Sequence, residues 1–413
     1  MAGQRPSRTA LAGPSWPARL LARFRRLLER LWRAPVSDLF PARADIDLDA
    51  IASNLGVVRD AVEGQKLLGV VKADAYGHGR AECARALLGA GADYLGVAQV
   101  AEALNLREEV GAGPRILAWI YAPGADLEAA LAADIELSVG AFWALDQLAV
   151  AARSTGITAR IHLKADTGMA RGGFNLQDLP EAAHRIRGLV AEGVFELQGL
   201  WSHLARADDV DCGLTEIQIE RFEEARSTVK AAGLDPVLCH LAASGGALWH
   251  PGARYDMVRP GIVLYGLSPN PNHRTAAQMG LKAAMTLSAD LIVDREVPAG
   301  TGVSYGHTAH TEEDTRLGVV PLGYADGIDR KASNVAPLVI NSQPTKIMGR
   351  VCMDQFVVTL PEGATAGDRA YLFGDVGAGL PTADDWAEAM GTIGYEVVTC
   401  LGARVPRRYH GEG

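Results

Sequence analysis

A lysine stands where structure alone gives no reason for one. The apolar run from Leu67 to Val71 reads as a buried parallel strand. It delivers Lys72 at its C-terminal end, directly before Ala73-Asp74-Ala75-Tyr76-Gly77-His78-Gly79, whose glycines mark a turn. A lysine is rarely buried without a partner. Desolvated at a strand end, it is suited to a Schiff base with a carbonyl substrate or with pyridoxal 5'-phosphate (PLP). A surface lysine at a strand end is the plainer alternative, and this segment taken alone leaves both open.

The elements that must position Lys72 follow a regular rhythm. Candidate strands run Leu68 to Val71, Tyr94 to Val97, Ile116 to Ile120, Ile135 to Ser138, Arg160 to Lys164, Leu197 to Ser202, Val237 to Leu241 and Met257 to Arg259. Helix-length segments separate them. In Leu48 to Val62, for example, Ile51, Leu55, Val58 and Val62 share one face. Eight strand-helix units in about 235 residues have the size of an α/β TIM (β/α)8 barrel, in which catalytic groups sit at the C-terminal ends of the strands. Past residue 284 the pattern changes to strands and turns, as in Leu317 to Leu322, Thr345 to Cys352 and Phe356 to Leu360. The expected organisation is an N-terminal extension over 1–43, a barrel over 44–284 and a smaller, mainly β domain over 285–413.

Composition narrows the class. In 413 residues the hydrophobic fraction is 48%, the charged fraction 22% and the net charge −9. That balance suits a globular protein and argues against a general nucleic-acid binder. Five scattered cysteines without a Cys-x-x-Cys pair point away from a zinc site or disulfide framework and toward a reducing compartment, the cytoplasm. No apolar run reaches the roughly 18 residues of a membrane span. The extension differs from the rest. Residues 1–17 read as disordered, and Leu20, Leu21, Phe24, Leu27, Leu28 and Leu31 then recur at helical spacing among arginines. This is a basic amphipathic pattern of the surface-lying or transit type, or a plain extension.

The Lys72 segment resembles the PLP-attachment motif of the alanine racemases, and the resemblance recurs in order from about residue 44 to residue 409. It implies the barrel-plus-β-domain architecture, a head-to-tail homodimer with shared active sites, L- and D-alanine as substrates and a D-alanine supply for peptidoglycan. Racemisation takes a proton from one face of the α-carbon and returns one to the other, so two acid/base groups must flank it. The resemblance assigns these to Lys72 and to Tyr305, in Val303-Ser304-Tyr305-Gly306. Arg259, in Val258-Arg259-Pro260-Gly261, matches the family arginine that donates to the cofactor's pyridine nitrogen. That contact disfavours protonation of the ring. His203 matches a histidine that supports this arginine.

Arg171, in Asp166-Thr167-Gly168-Met169-Ala170-Arg171, matches the family's bidentate binder of the substrate carboxylate. Lys164 matches a lysine that many members carbamylate. Ser244, the Gly261 and Ile262 amides, Tyr76 and Tyr395 match the phosphate cradle. Met353 and Asp354, in Gly349-Arg350-Val351-Cys352-Met353-Asp354, match a pair that reaches the partner's site, and Pro321 to Gly327 matches the wall of the access path. No metal is implied. One departure is Ala243, where the family pattern Ala-Asn-Ser-Ala-Ala has asparagine; a hydrogen-bonding side chain beside the cofactor is lost. The rival readings are a broader-specificity amino-acid racemase, a PLP decarboxylase of basic amino acids and a non-catalytic PLP-binding protein. Arg259 and Tyr305 speak against the decarboxylase, and the β domain is unexplained in a bare carrier.

Overall fold

The computed structural model describes residues 40–413, so the expected N-terminal extension falls almost wholly outside the described residues. The chain enters as strand β1 (Ala42–Asp47), and helix α1 (Leu48–Ala61) follows at once. The Asp47 side chain caps that helix by accepting from the Ala50 amide at 2.9 Å. Its apolar stripe buries Ile51, Leu55 and Val58, as the spacing predicts.

Eight parallel strands form the barrel: β2 (Lys66–Val70), β3 (Tyr94–Gln99), β4 (Arg115–Ile120), β5 (Ile135–Val139), β6 (Ala159–Lys164), β7 (Phe195–Trp201), β8 (Leu238–His240) and β9 (Met257–Val258). Each expected strand is found within a few residues of its place. Neighbours pair in sequence order from β2 to β8, and β9 pairs with β2. The ring closes through a parallel bridge between Ala243 and Arg259 just past β8 and β9, with the Arg259 amide donating to Ala242 O at 3.0 Å. The strands are buried on both faces, which is why they read as continuous apolar runs.

The second body is a nine-stranded sheet. After β10 (Met285–Asp290) come β11 (Val293–Val297), β12 (Gly302–Val303), β13 (Ala309–His310), β14 (Thr315–Val320), β15 (Pro337–Ile340), β16 (Gln343–Met348), β17 (Phe356–Thr359), β18 (Arg369–Phe373) and β19 (Arg407–His410). The large sheet runs β11-β14-β17-β16-β15-β18-β10-β1-β19, and β12 pairs with β13 separately. One boundary differs from expectation. β1, which includes residues 44–47, pairs antiparallel with β10 and parallel with β19, so it belongs to this sheet rather than to the barrel. Its alternation of buried and half-buried residues suits the flank of an antiparallel sheet, which local pattern does not distinguish from a barrel strand.

Candidate active site

Lys72 emerges just past β2 and opens a turn of the wrong hand. Ala73, Asp74, Ala75 and Tyr76 have φ of 52–55°, a left-handed conformation that costs roughly 1–2 kcal/mol per L-residue. Such a turn persists only where its surroundings over-determine it. The Glu102 carboxylate accepts from the Ala73 amide at 2.7 Å and, with its other oxygen, from the Ala98 and Gln99 amides. Asp74 accepts from the Arg80 amide at 2.8 Å. His78 Nδ1 lies 3.0 Å from both the Ala75 and Tyr76 carbonyls, so it must be the protonated nitrogen. From the other end of the chain, Arg407 Nε donates to Gly77 O at 3.0 Å. Gly77, at φ 83°, has no room for a Cβ against the Val398 carbonyl.

Around Lys72 the barrel mouth collects cations. Burial first, then Arg171, lowers the Lys72 pKa, against a small opposing effect of Glu102. Lys164, at the end of β6, falls to about 8 through burial and then through Arg171 and Arg259. Its Nζ lies 4.6 Å over the Trp201 ring. The carboxylates that act on these amines, Glu102 and Asp166, already serve backbone amides. Asp166 Oδ1 accepts from Gly168, Met169 and Ala170 and so shapes the loop that carries Arg171.

Arg259 is buried, and its guanidinium is held at both Nη atoms. Nη1 lies 3.0 Å from His240 Nδ1; Nη2 donates to the Ser202 and Leu241 carbonyls at 2.9 and 3.0 Å and lies 3.2 Å from His203 Nδ1. Burial, then the cations Arg259, Arg171, Lys164 and Lys72, drives His203 well below its usual range. The imidazole is therefore neutral and accepts from Arg259. The expected proximity of His203 and Arg259 is present.

The residues expected around the phosphate converge on one side of this mouth. Ser244 Oγ accepts from the Gly261 amide at 2.9 Å. The Tyr76 ring lies 5.0 Å from Tyr265 and 6.3 Å from Tyr395. Gly261 leaves open the space in front of the Tyr76 hydroxyl, which a Cβ there would fill. An amine, a buried guanidinium and a ring of hydroxyls and amides around a glycine-lined gap together suit a flat heteroaromatic ligand with an anionic tail. PLP fits that donor set.

Tyr305, Met353 and Asp354 are not tied to Lys72 within one chain: among the described residues no hydrogen bond, ion pair or ring contact joins them to Lys72, Arg171, Lys164 or Arg259. They share a face of the β domain, where Tyr305 is 70% and Met353 53% exposed. Ser304 Oγ donates to Arg350 O at 2.6 Å, and the Tyr324 and Ala325 amides donate to Cys352 O and Met353 O, both at 3.0 Å. Arg404 ties Asp354 to the buried Asp326. An exposed patch holding Tyr305, Tyr324 and Met353 is what an interface presents.

Several working residues escaped the sequence reading. Glu102, Arg407 and Tyr265, whose hydroxyl donates to Val70 O at 2.9 Å, hold the Lys72 turn. Trp201 floors the site under Lys164 and Arg259. Glu136, His162 and His240 escaped it too, and their one signal was polarity inside strands that otherwise read as core.

Comparison with known proteins agrees with this geometry. The family model for the alanine racemase N-terminal domain matches residues 46–269, and that for the C-terminal domain matches residues 284–409. A protein named alanine racemase from Beutenbergia cavernae is 52% identical over 377 residues, covering 90% of this chain and 98% of its own. One from Frankia casuarinae is 48% identical, covering 91% and 98%. The solved alanine racemase of Streptomyces coelicolor A3(2) superposes with a TM-score of 0.89 at 45% identity, covering 90% of this chain and 98% of that one. The alanine racemase of Bartonella henselae, solved with covalently bound pyridoxal phosphate, gives 0.80 at 27% identity, covering 90% and 99%.

Proposed function

The chain belongs to the alanine racemase family, and from that premise we propose that it interconverts L- and D-alanine with PLP held at Lys72. The observation that carries the reading is the desolvated Lys72 amine beside Arg171 at the barrel mouth, where the same arginine also acts on Lys164 and Arg259. When bound, the cofactor acidifies the substrate's α C–H bond. Lys72, with its pKa lowered, holds or takes the α-proton on one face. Arg171 receives the substrate carboxylate in its two-pronged fork. Arg259 donates to the ring nitrogen, and neutral His203 keeps it aligned. Ser244, the Gly261 and Ile262 amides, Tyr76 and Tyr395 hold the phosphate. Lys164, once carbamylated, pairs with Arg171.

The second face needs another base, and Tyr305 supplies it from a partner subunit, together with Met353 and Asp354. The exposure of these residues, grouped on one face, supports a head-to-tail homodimer. The reading extends to a cytoplasmic enzyme that supplies D-alanine for peptidoglycan. The five free cysteines support a reducing compartment. The test is α-proton exchange and change of optical activity on alanine, serine, arginine and lysine, using purified protein with PLP. Alanine should react fastest, Lys72→Ala should abolish exchange, and Tyr305→Phe should lose abstraction from L-alanine selectively. Bound PLP with no exchange on any of the four would sink the proposal.

A further inference from the structure

The interior of a (β/α)8 barrel is ordinarily filled by layers of branched apolar side chains. Here a line of polar groups runs through it. Glu136 on β5, His162 on β6 and His240 on β8 are all fully buried, and Arg259, just past β9, is nearly so. Arg259 Nη1 lies 3.0 Å from His240 Nδ1, His240 Nε2 lies 2.9 Å from His162 Nδ1, and His162 Nε2 lies 2.8 Å from Glu136 Oε2. At the far end Arg115 Nε donates to Glu136 Oε1 at 2.6 Å, and Arg160 Nε stands 3.7 Å from the same oxygen. Those two arginines, 35% and 29% exposed, are where the line reaches water.

The donors and acceptors leave one consistent arrangement. A guanidinium only donates, so His240 Nδ1 is an acceptor and its proton is on Nε2. That proton points at His162 Nδ1, which fixes the His162 proton on Nε2 as well, and this one meets a carboxylate. Every link therefore donates the same way, from Arg259 to Glu136. Trp201 seals the upper half. The His240 ring stacks on it at 5.6 Å with planes 6° apart, and the Arg259 guanidinium lies 4.9 Å over it. Burial and Arg259 keep His240 well below its usual range, in agreement with a neutral ring there.

Apolar side chains of similar volume fill such a space at least as stably as a buried ionic line. What apolar side chains do not supply is a negative charge for Arg259. Its environment otherwise loosens its hold on the proton, since burial and Arg171 both act that way. We propose that Glu136, acting through His162 and His240, is the remote counter-charge of Arg259: the three are positioning residues that align its guanidinium and hold its proton. The inference rests on the reading that Arg259 meets the cofactor's ring nitrogen. Its consequence is that electron demand at that nitrogen is set from the opposite end of the barrel. Without the carboxylate Arg259 becomes more acidic and shares its proton more fully with the ring. A ring that drew electrons more strongly would favour return of the proton to the cofactor rather than to the α-carbon, after which water would release pyruvate and leave the cofactor as its amine.

Two measurements test this. In the full chain with 15N-labelled histidine and no cofactor, the His162 and His240 resonances should report neutral rings protonated at Nε2; a charged ring or an Nδ1–H form at either position overturns the relay, with no variant required. In the holoenzyme with PLP labelled at its ring nitrogen, Glu136→Gln should move that resonance toward its protonated position, and Glu136→Asp should recover most of the change. Pyruvate formed per racemisation should rise about tenfold in Glu136→Gln, the effect of one unit in the acidity of Arg259. A loss of thermal stability with the ring resonance unmoved would make the line merely structural and overturn the proposal. Arg259→Lys is the control: if it also leaves the ring resonance in place, the reading of Arg259 itself fails.

Discussion

Carbon dioxide should act on this protein through Lys164. Burial, then Arg171 and Arg259, lowers that amine from 10.5 to about 8. At neutral pH roughly one lysine in ten is then the free amine, against roughly one in 3,000 at the ordinary value, a gain of roughly 300-fold in the nucleophilic form. Attack joins the amine nitrogen to the carbon of CO2 and passes one proton to water. The product is an anion beside Arg171 and Arg259, so each repulsion that depressed the amine becomes an attraction. The assay is carbon NMR of protein equilibrated with 13C-bicarbonate, read before and after degassing, with racemisation measured on the same samples. A carbamate resonance should appear, vanish on degassing and be missing in Lys164→Met. Degassing should raise the KM for alanine about tenfold, because one ion pair holding Arg171 in place is lost. The argument is refuted if saturating bicarbonate yields no resonance, or if degassed and equilibrated protein share one KM.

The same lysine gives a pH signature in protein kept free of CO2. Its folded pKa lies below its unfolded value, so between about 8 and 10.5 the unfolded chain binds the extra proton and stability rises with pH; melting temperatures across that window should climb, and should climb less in Lys164→Met. Glu102→Ala leaves the Ala73, Ala98 and Gln99 amides without their carboxylate. Denaturant titration should give a loss of about 1–3 kcal/mol, and kcat should fall more than KM rises, because the turn that aims Lys72 relaxes. Gly261→Ala drives a methyl group into the Tyr76 hydroxyl; fluorescence titration should find PLP affinity lowered at least tenfold, a cost of about 1.4 kcal/mol, with little change in the melting temperature of the cofactor-free protein.

What local chemistry encodes was legible. The eight barrel strands could be found because a doubly buried parallel strand needs a continuous apolar run, and α1 because its stripe repeats every three or four residues. Lys72 stood out because a lysine ending such a run is energetically out of place. The Tyr305 and Met353 blocks were recognisable as motifs, but nothing in their local pattern told which site they serve, and a single folded chain leaves them on its surface.

The amino-acid sequence by itself determined which groups meet a ligand: the amine, the guanidinia and the glycine-lined hydroxyls, each tied to its own strand end. Tertiary structure alone decided how those groups are held and charged. The left-handed turn at Ala73 to Tyr76 has no sequence rule behind it, because alanine and tyrosine avoid that region unless distant groups force them into it. One of those groups, Arg407, lies 330 residues away from Gly77. The links from Arg259 to His240, His162 and Glu136 span 19, 78 and 26 residues. Such separations carry no periodic signal, and strands become neighbours across the barrel only once the ring closes. Two histidines and a glutamate inside apolar strands announce a cost, and only the folded interior reveals what offsets it.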